Sequence, residues 1–204
     1  MISKKNYQLK LKVYLMKKII LSCLLLFTFS ALLHAQQVTK GTKLLNLGIG
    51  LGSAYAYSGS TLTLPPVHAS LEVGVADKIS VGGLLGYTAS KWNQTYLDGS
   101  KYSWNFSYLV FGARGSYHFL NNNDKADIYA GLMLGYNVAS SKFSTNDPDI
   151  KDLYNRGFIS DVSAGGFALG AHVGGRYMFS EKVGGFAELG YNISWLSLGA
   201  TFKL

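Results

Sequence analysis

His68, Ser70 and Glu72 share one parity of a short alternating segment, and a histidine, a hydroxyl and a carboxylate are the parts of a hydrolytic site. Their spacing argues against that chemistry. In an extended strand, residues two apart stand ~6.5–7 Å from each other, beyond a hydrogen bond. His68, His118 and His172 offer imidazoles on three separate segments, but no close ligand spacing joins them into a metal site. Asp147-Pro148-Asp149 presents two carboxylates, without the glycine and glutamate of a twelve-residue calcium loop. Cys23 is the only cysteine, and the apolar run continues past it, whereas an acylated cysteine should end that run. Charge remains. Glu72, Arg114, Arg176 and Glu188 fall mid-segment on the polar parity of four alternating stretches. If those parities face a narrow interior, the four must pair, because an unpaired buried charge costs several kcal/mol. Two acids against two bases fit a plug better than an ion-selecting ring. These residues imply no catalytic set, no cofactor and no metal.

The elements that place them begin behind a leader. The 204-residue chain carries formal charge +8, but six of its nineteen Lys and Arg residues lie in residues 1–35, where there is no acid. From Gln36 onward, thirteen basic residues face eleven acidic ones, so the balance is +2 and nucleic-acid binding is a poor inference. Lys17 and Lys18 precede the apolar run 19–33, which closes with Leu33-His34-Ala35. That is a secretory signal peptide over 1–35, with 1–15 readable as an upstream mis-start before Met16. Residues 36–43 then form a short N-terminal segment. All 24 glycines follow residue 40, and no apolar run approaches the ~18 residues of a spanning helix.

Residues 44–204 read by parity as eight strands: 44–57, 67–75, 78–90, 102–119, 127–138, 165–179, 182–193 and 195–204. Leu45, Leu47, Ile49 and Leu51 oppose Asn46, Gly48, Gly50 and Gly52, and the same contrast recurs down the chain. A helix through Gly131 and Gly135 would lose about 1 kcal/mol per glycine relative to alanine, and the apolar period is two rather than 3.6. Trp104 and Phe106 break parity, which suggests a bulge or a stretch projecting beyond a bilayer.

Connectors alternate long and short apart from the last, a tight turn near 192–195, the long ones being 58–66, 92–101 and 139–164. Outer-membrane barrels show that asymmetry, with short periplasmic turns and longer outer loops. With both termini periplasmic, Tyr55, Tyr57, Tyr87, Tyr136 and Tyr191 form an outer aromatic girdle, and Tyr117, Phe119, Tyr177, Phe179 and Phe202 an inner one. A soluble lipocalin-like barrel would have the opposite polarity.

On this pattern, its leader and its ending Gly199-Ala200-Thr201-Phe202-Lys203-Leu204, the chain resembles the small eight-stranded outer-membrane barrels of the OmpA/OmpX type and the outer-membrane-protein β-barrel domain family. The leader end Ala35-Gln36-Gln37 is similar to those of Bacteroidota. The resemblance covers residues 44–204. It implies an all-β, eight-stranded, antiparallel, up-and-down transmembrane barrel, integral to a bacterial outer membrane. It also implies lipids as surroundings and the barrel-assembly machinery as a partner of the C-terminal strand, although such signals commonly end in Phe rather than Leu204. The lipid A deacylases with this barrel carry His, Ser and Glu on the outer wall, whereas His68, Ser70 and Glu72 point inward. The expected protein is a non-enzymatic monomer with a side-chain-filled lumen, structural or interacting through its outer loops. The alternatives are a small ion or solute channel and a membrane-embedded lipid-modifying enzyme. A surface partner is expected at loops 92–101 and 139–164.

Overall fold

The structure, a computed structural model, describes residues 38–55, 59–119 and 125–204. The expected signal peptide over 1–35, Tyr57 and residues 120–124 of the 120–126 connector therefore lie outside the described residues. Eight antiparallel strands follow one another: β1 (Lys43–Ser53), β2 (Thr61–Ala76), β3 (Ile79–Thr95), β4 (Lys101–His118), β5 (Ala126–Thr145), β6 (Val162–Met178), β7 (Val183–Gly190) and β8 (Ser194–Lys203). Each pairs with its sequence neighbours, and β1 pairs with β8 from Leu44↔Lys203 to Ser53↔Ser194, so the sheet closes into an up-and-down barrel.

Alternation sorts the side chains as the pleat requires. Leu47, Ile49, Leu71, Val81, Leu85, Phe111, Leu134 and Leu169 stand exposed on the outside, while Asn46, Ser70, Glu72, Arg114 and Arg176 are buried inside. Adjacent residues show the contrast most clearly: Leu132 is 71% exposed and Met133 2%. Glycine lets the narrow interior close. A Cβ on Gly112 would come within 2.6 Å of the Gly135 Cα across the β4–β5 ladder.

Four expectations need correction. First, β2 starts at Thr61 rather than at residue 67. Pro65 and Pro66 lie within it, and because proline cannot donate to a ladder, the β2–β3 register slips between Leu62 and Leu64 and again between Leu64 and Val67. Second, the connectors 92–101 and 139–164 are mostly folded. β3 runs to Thr95, β5 to Thr145, and a helix, α1 (Pro148–Asn155), precedes β6. The register of β4 is unbroken with both neighbours through Trp104 and Phe106, so that stretch projects without a bulge. Third, β7 ends at Gly190, and past that end Ile193 turns inward, 1% exposed, instead of continuing the outward row. Fourth, Tyr55 packs against the buried interior. β1 stops at Ser53 after Gly52 turns the chain at φ +72°, and the Tyr55 ring stacks on Tyr108 at 5.8 Å. Tyr87, Tyr136, Tyr191, Tyr117, Phe119, Tyr177 and Phe179 are exposed on the outer surface, and Phe202 is half-buried.

The barrel is lopsided. β3 to β6 have 17, 18, 20 and 17 residues, whereas β7, β8 and β1 have 8, 10 and 11. The tall side therefore rises as a crest at the end away from the termini.

At the other end, residues 38–42 fold across the mouth. The Lys78 amide donates to the Val38 carbonyl (2.9 Å), Gly41 to Gly74 (2.8 Å) and Gly74 to Thr42 (2.8 Å), and Val38 is 2% exposed. Gly74 shares the inward parity of Ser70 and Glu72, and a Cβ there would strike the Thr39 carbonyl oxygen. The strap thus occupies the mouth itself. In a Cys23→Ser background, Val38→Cys should resist a water-soluble maleimide, and adding Gly74→Val should expel the strap and expose the thiol. Equal labelling rates with and without Gly74→Val would refute this placement.

Candidate functional site

The interior is the site, and it is layered. Nearest the termini, every strand contributes polar side chains. Arg114, brought inward on β4, sits between two carboxylates: its Nη2 donates to Glu188 Oε2 at 2.8 Å, and its Nε lies 3.5 Å from Glu72 Oε1. Glu72 also accepts from Asn46 Nδ2 (3.0 Å), Ser80 Oγ (2.8 Å) and Ser116 Oγ (3.0 Å). Glu188 accepts from Tyr129 Oη (3.2 Å) and Asn192 Nδ2 (3.1 Å). Three of the four charges proposed from sequence are therefore brought together.

The fourth finds a different partner. Arg176 Nη1 donates to Asp127 Oδ2 at 2.8 Å, its Nε to Thr201 Oγ1 at 3.1 Å and its Nη2 to Asn46 Oδ1 at 3.3 Å. Its guanidinium lies over the Tyr129 ring, 4.9 Å from the centroid. Asp127 shares the parity of Tyr129 and Met133, and the β5–β6 register sets it directly opposite Arg176.

His118 joins the same network. Its Nδ1 lies 2.8 Å from Asp127 Oδ2 and its Nε2 3.0 Å from Ser80 Oγ, while Ser80 gives its single hydroxyl proton to Glu72. Asp127 thus lies between Arg176 and His118, and Ser80 bridges His118 to Glu72. The order Asp127–His118–Ser80 superficially resembles an acid–base–nucleophile chain. Ser80, however, is 0% exposed and its proton is held by Glu72, so this hydroxyl meets no substrate.

The other sequence candidates turn to separate neighbours. Ser70 accepts from Asn46 Nδ2 (3.0 Å), His172 Nε2 lies 3.0 Å from Ser116 Oγ, and His68 meets Phe186 edge-on at 6.1 Å. Neither the three histidines nor the His68, Ser70 and Glu72 set converge.

Above the polar layer lies an apolar one that parity alone left unread. Leu84, Val110, Met133, Ala168 and Ile193 form a buried cluster across the lumen. Beyond the barrel rim, the crest carries its own packing: Trp104 against Phe143 at 4.7 Å, Tyr102 against Phe143 at 6.3 Å, and Tyr154 against Phe143 at 5.9 Å. Asp147 caps α1 by accepting from the Asp149 and Ile150 amides, and takes a hydrogen bond from Tyr102 Oη at 2.9 Å. The Tyr102 hydroxyl, with the Ile150 amide, holds the Asp147 carboxyl below its ordinary range. Its oxygens serve the helix. Asp161 ties the return to β6, accepting from Tyr154 Oη (2.9 Å) and from the Phe143 amide (3.2 Å).

No family model matches the chain, and no curated protein matches it. Among solved structures, the outer membrane protein OprG from Pseudomonas aeruginosa superposes with a TM-score of 0.59 at 12% identity, covering 84% of this chain and 99% of that one. The N-terminal β-barrel domain of P. aeruginosa OprF matches at a TM-score of 0.49 and 13% identity, covering 81% and 98% of the two chains. Ail of Yersinia pestis, in complex with the heparin analogue sucrose octasulfate, matches at 0.44 and 12%, covering 81% and 96%. The OprG match establishes a shared fold: the chain is built as the small eight-stranded outer-membrane barrels are.

Proposed function

We propose that this chain is an integral, non-enzymatic barrel of a bacterial outer membrane, closed by its own side chains, with a structural or surface-interaction role through its crest. The observation that carries the reading is the barrel's polarity: apolar side chains outside, an ion-pair network inside. Water would disfavour such an exterior, whereas hydrocarbon requires it, and a closed barrel is one of the two folds that satisfy every backbone polar group in a membrane. Aromatic side chains on the outer surface fit two interfacial belts. The OprG likeness supports the same surroundings. The compact turn at Asp77 and Lys78 lies at the terminal end and the long elements at the other, which fits periplasmic termini and a crest outside the cell. β8, ending in Phe202-Lys203-Leu204, fits recognition by the barrel-assembly machinery, and the crest over 92–101 and 139–164 is where a surface partner would dock.

The lumen argues for a plug over a channel. An eight-stranded barrel has an interior that side chains just fill, and here the polar network is backed by an apolar layer. In a planar bilayer the wild-type protein is expected to show at most rare, small openings. Steady, large conductance would overturn the plug and establish the channel reading.

A further inference from the structure

We propose that the free edge of β6 in the crest docks an extended segment of another protein, which joins the sheet as a strand antiparallel to β6. The inference rests on the membrane reading above. β7 accompanies only the part of β6 nearest the termini, from His172↔Gly190 to Met178↔Gly184, and the Ala171 carbonyl takes one further bond from the Tyr191 amide at 2.8 Å. On the opposite side β5 continues beside β6 as far as Ser141↔Val162. From Leu169 toward the crest, β6 is therefore paired on one side only.

Alternation identifies the groups left over. The Met178 amide donates to the Lys125 carbonyl on the β5 side (2.6 Å), so the even-numbered residues of β6 bond to β5 and the odd-numbered ones face away, as Ala171 does. The amides and carbonyls of Ser163, Gly165, Phe167 and Leu169 thus line the open edge. Phe167 pairs with the belt residue Tyr136, and Leu169 lies further toward the termini. Ser163 and Gly165 can turn to water. At the belt and below it, an unpaired backbone group costs several kcal/mol, so this edge calls for cover.

The chemistry of the edge selects its occupant. Its donors and acceptors recur at every second residue, ~6.8 Å apart, and an extended backbone presents the matching row. The two edges of the crest sheet also differ. On the other one, β2 beyond Ile49↔Val67, Pro65 and Pro66 and two register slips blunt the strand against pairing. Residues 162–170 hold neither proline nor charge. Small residues leave an added strand room as well: on the inward parity a Cβ at Gly166 would meet nothing within 4 Å, and on the outward one a Cβ at Gly165 would strike only the Tyr136 ring. A second copy fits poorly. Among the described residues both free edges, on β2 and β6, run from the crest toward the terminal end, so a second barrel in the same membrane offers no free strand of the opposite direction.

The test refolds the chain from Gln36 onward into phospholipid nanodiscs and titrates it with a fluorescent peptide that alternates valine and threonine and carries a lysine at each end. The wild type should bind it, and hydrogen exchange followed by NMR should slow at the Gly165 and Phe167 amides while Ala164 and Gly166, already bonded to β5, stay unchanged. Ser163→Pro combined with Phe167→Pro removes two edge donors without touching the β5 ladder and should weaken binding about tenfold. Ser163→Ala, which keeps the amide, should bind as the wild type does. An inserted wild type that binds no peptide, protection that appears on β2 instead of β6, or a double proline variant that binds undiminished would overturn the edge site alone. A dimer that Ser163→Pro converts to monomer would give the edge to a second copy and overturn it too. A wild type that never enters the nanodiscs would overturn the membrane reading, and this inference with it.

Discussion

Arg114→Ala is expected to lower stability by about 3–5 kcal/mol in urea unfolding from phospholipid vesicles, the cost of leaving a buried ionic partner unpaired. Both Glu72 and Glu188 lose their cation at once, and their remaining donors are hydroxyls and amides. The same substitution should raise bilayer conductance, because an unpaired carboxylate draws water into the lumen. Arg114→Ala/Glu188→Ala should recover part of the loss by removing one stranded charge. A loss below about 1 kcal/mol, the level of an exposed pair, would show that the lumen is hydrated and the network is not a plug.

Asp127→Ala should be comparably damaging, again about 3–5 kcal/mol, because it strands the buried Arg176 cation and removes the partner of His118 Nδ1. Combined with His118→Ala it should cost clearly less than the sum of the single changes, since residues of one charge network couple. Strict additivity would mean that His118 and Asp127 are not coupled and would remove His118 from the network.

Much of this was readable from alternation alone. Once period two is recognised, Leu132 and Met133 fall on opposite faces and Glu72, Arg114, Arg176 and Glu188 fall inside, because a pleated strand leaves each side chain one direction to take. Pairing was less readable. Asp127 opens β5, where a parity reading fades into the turn, and only the β5–β6 register sets it opposite Arg176. Asn46, Ser80, Ser116 and Thr201 carried no signal of their own, since a polar residue on an inward parity names no partner until eight strands are brought round one axis. Leu84 and Val110 look like flaws in the pattern and are instead the layer that seals the lumen. Strand ends were misjudged for a related reason. The sequence pattern follows the apolar band, whereas hydrogen bonding continues past it into the crest, and Tyr55 and Ile193 turn inward where the short strands stop.

The seam between β1 and β8 sets an order of events. Seven of the eight strand pairs join consecutive strands, and such hairpins form with little loop entropy. The eighth joins the two ends of the sheet, and the Leu204 amide reaches the Lys43 carbonyl at 3.0 Å. The same event completes the interior. Thr201 Oγ1 donates to Asn46 Oδ1 at 2.8 Å across 155 residues, and Asn46 also accepts from Arg176 and donates to Glu72. Until the ends meet, Arg176 and Thr201 both lack the Asn46 oxygen that accepts from them. Closure is therefore a late, slow step, and a ring closed one residue out of register would turn Thr201 to the outside and leave Asn46 unmatched, so the buried network proofreads the alignment of the two chain ends.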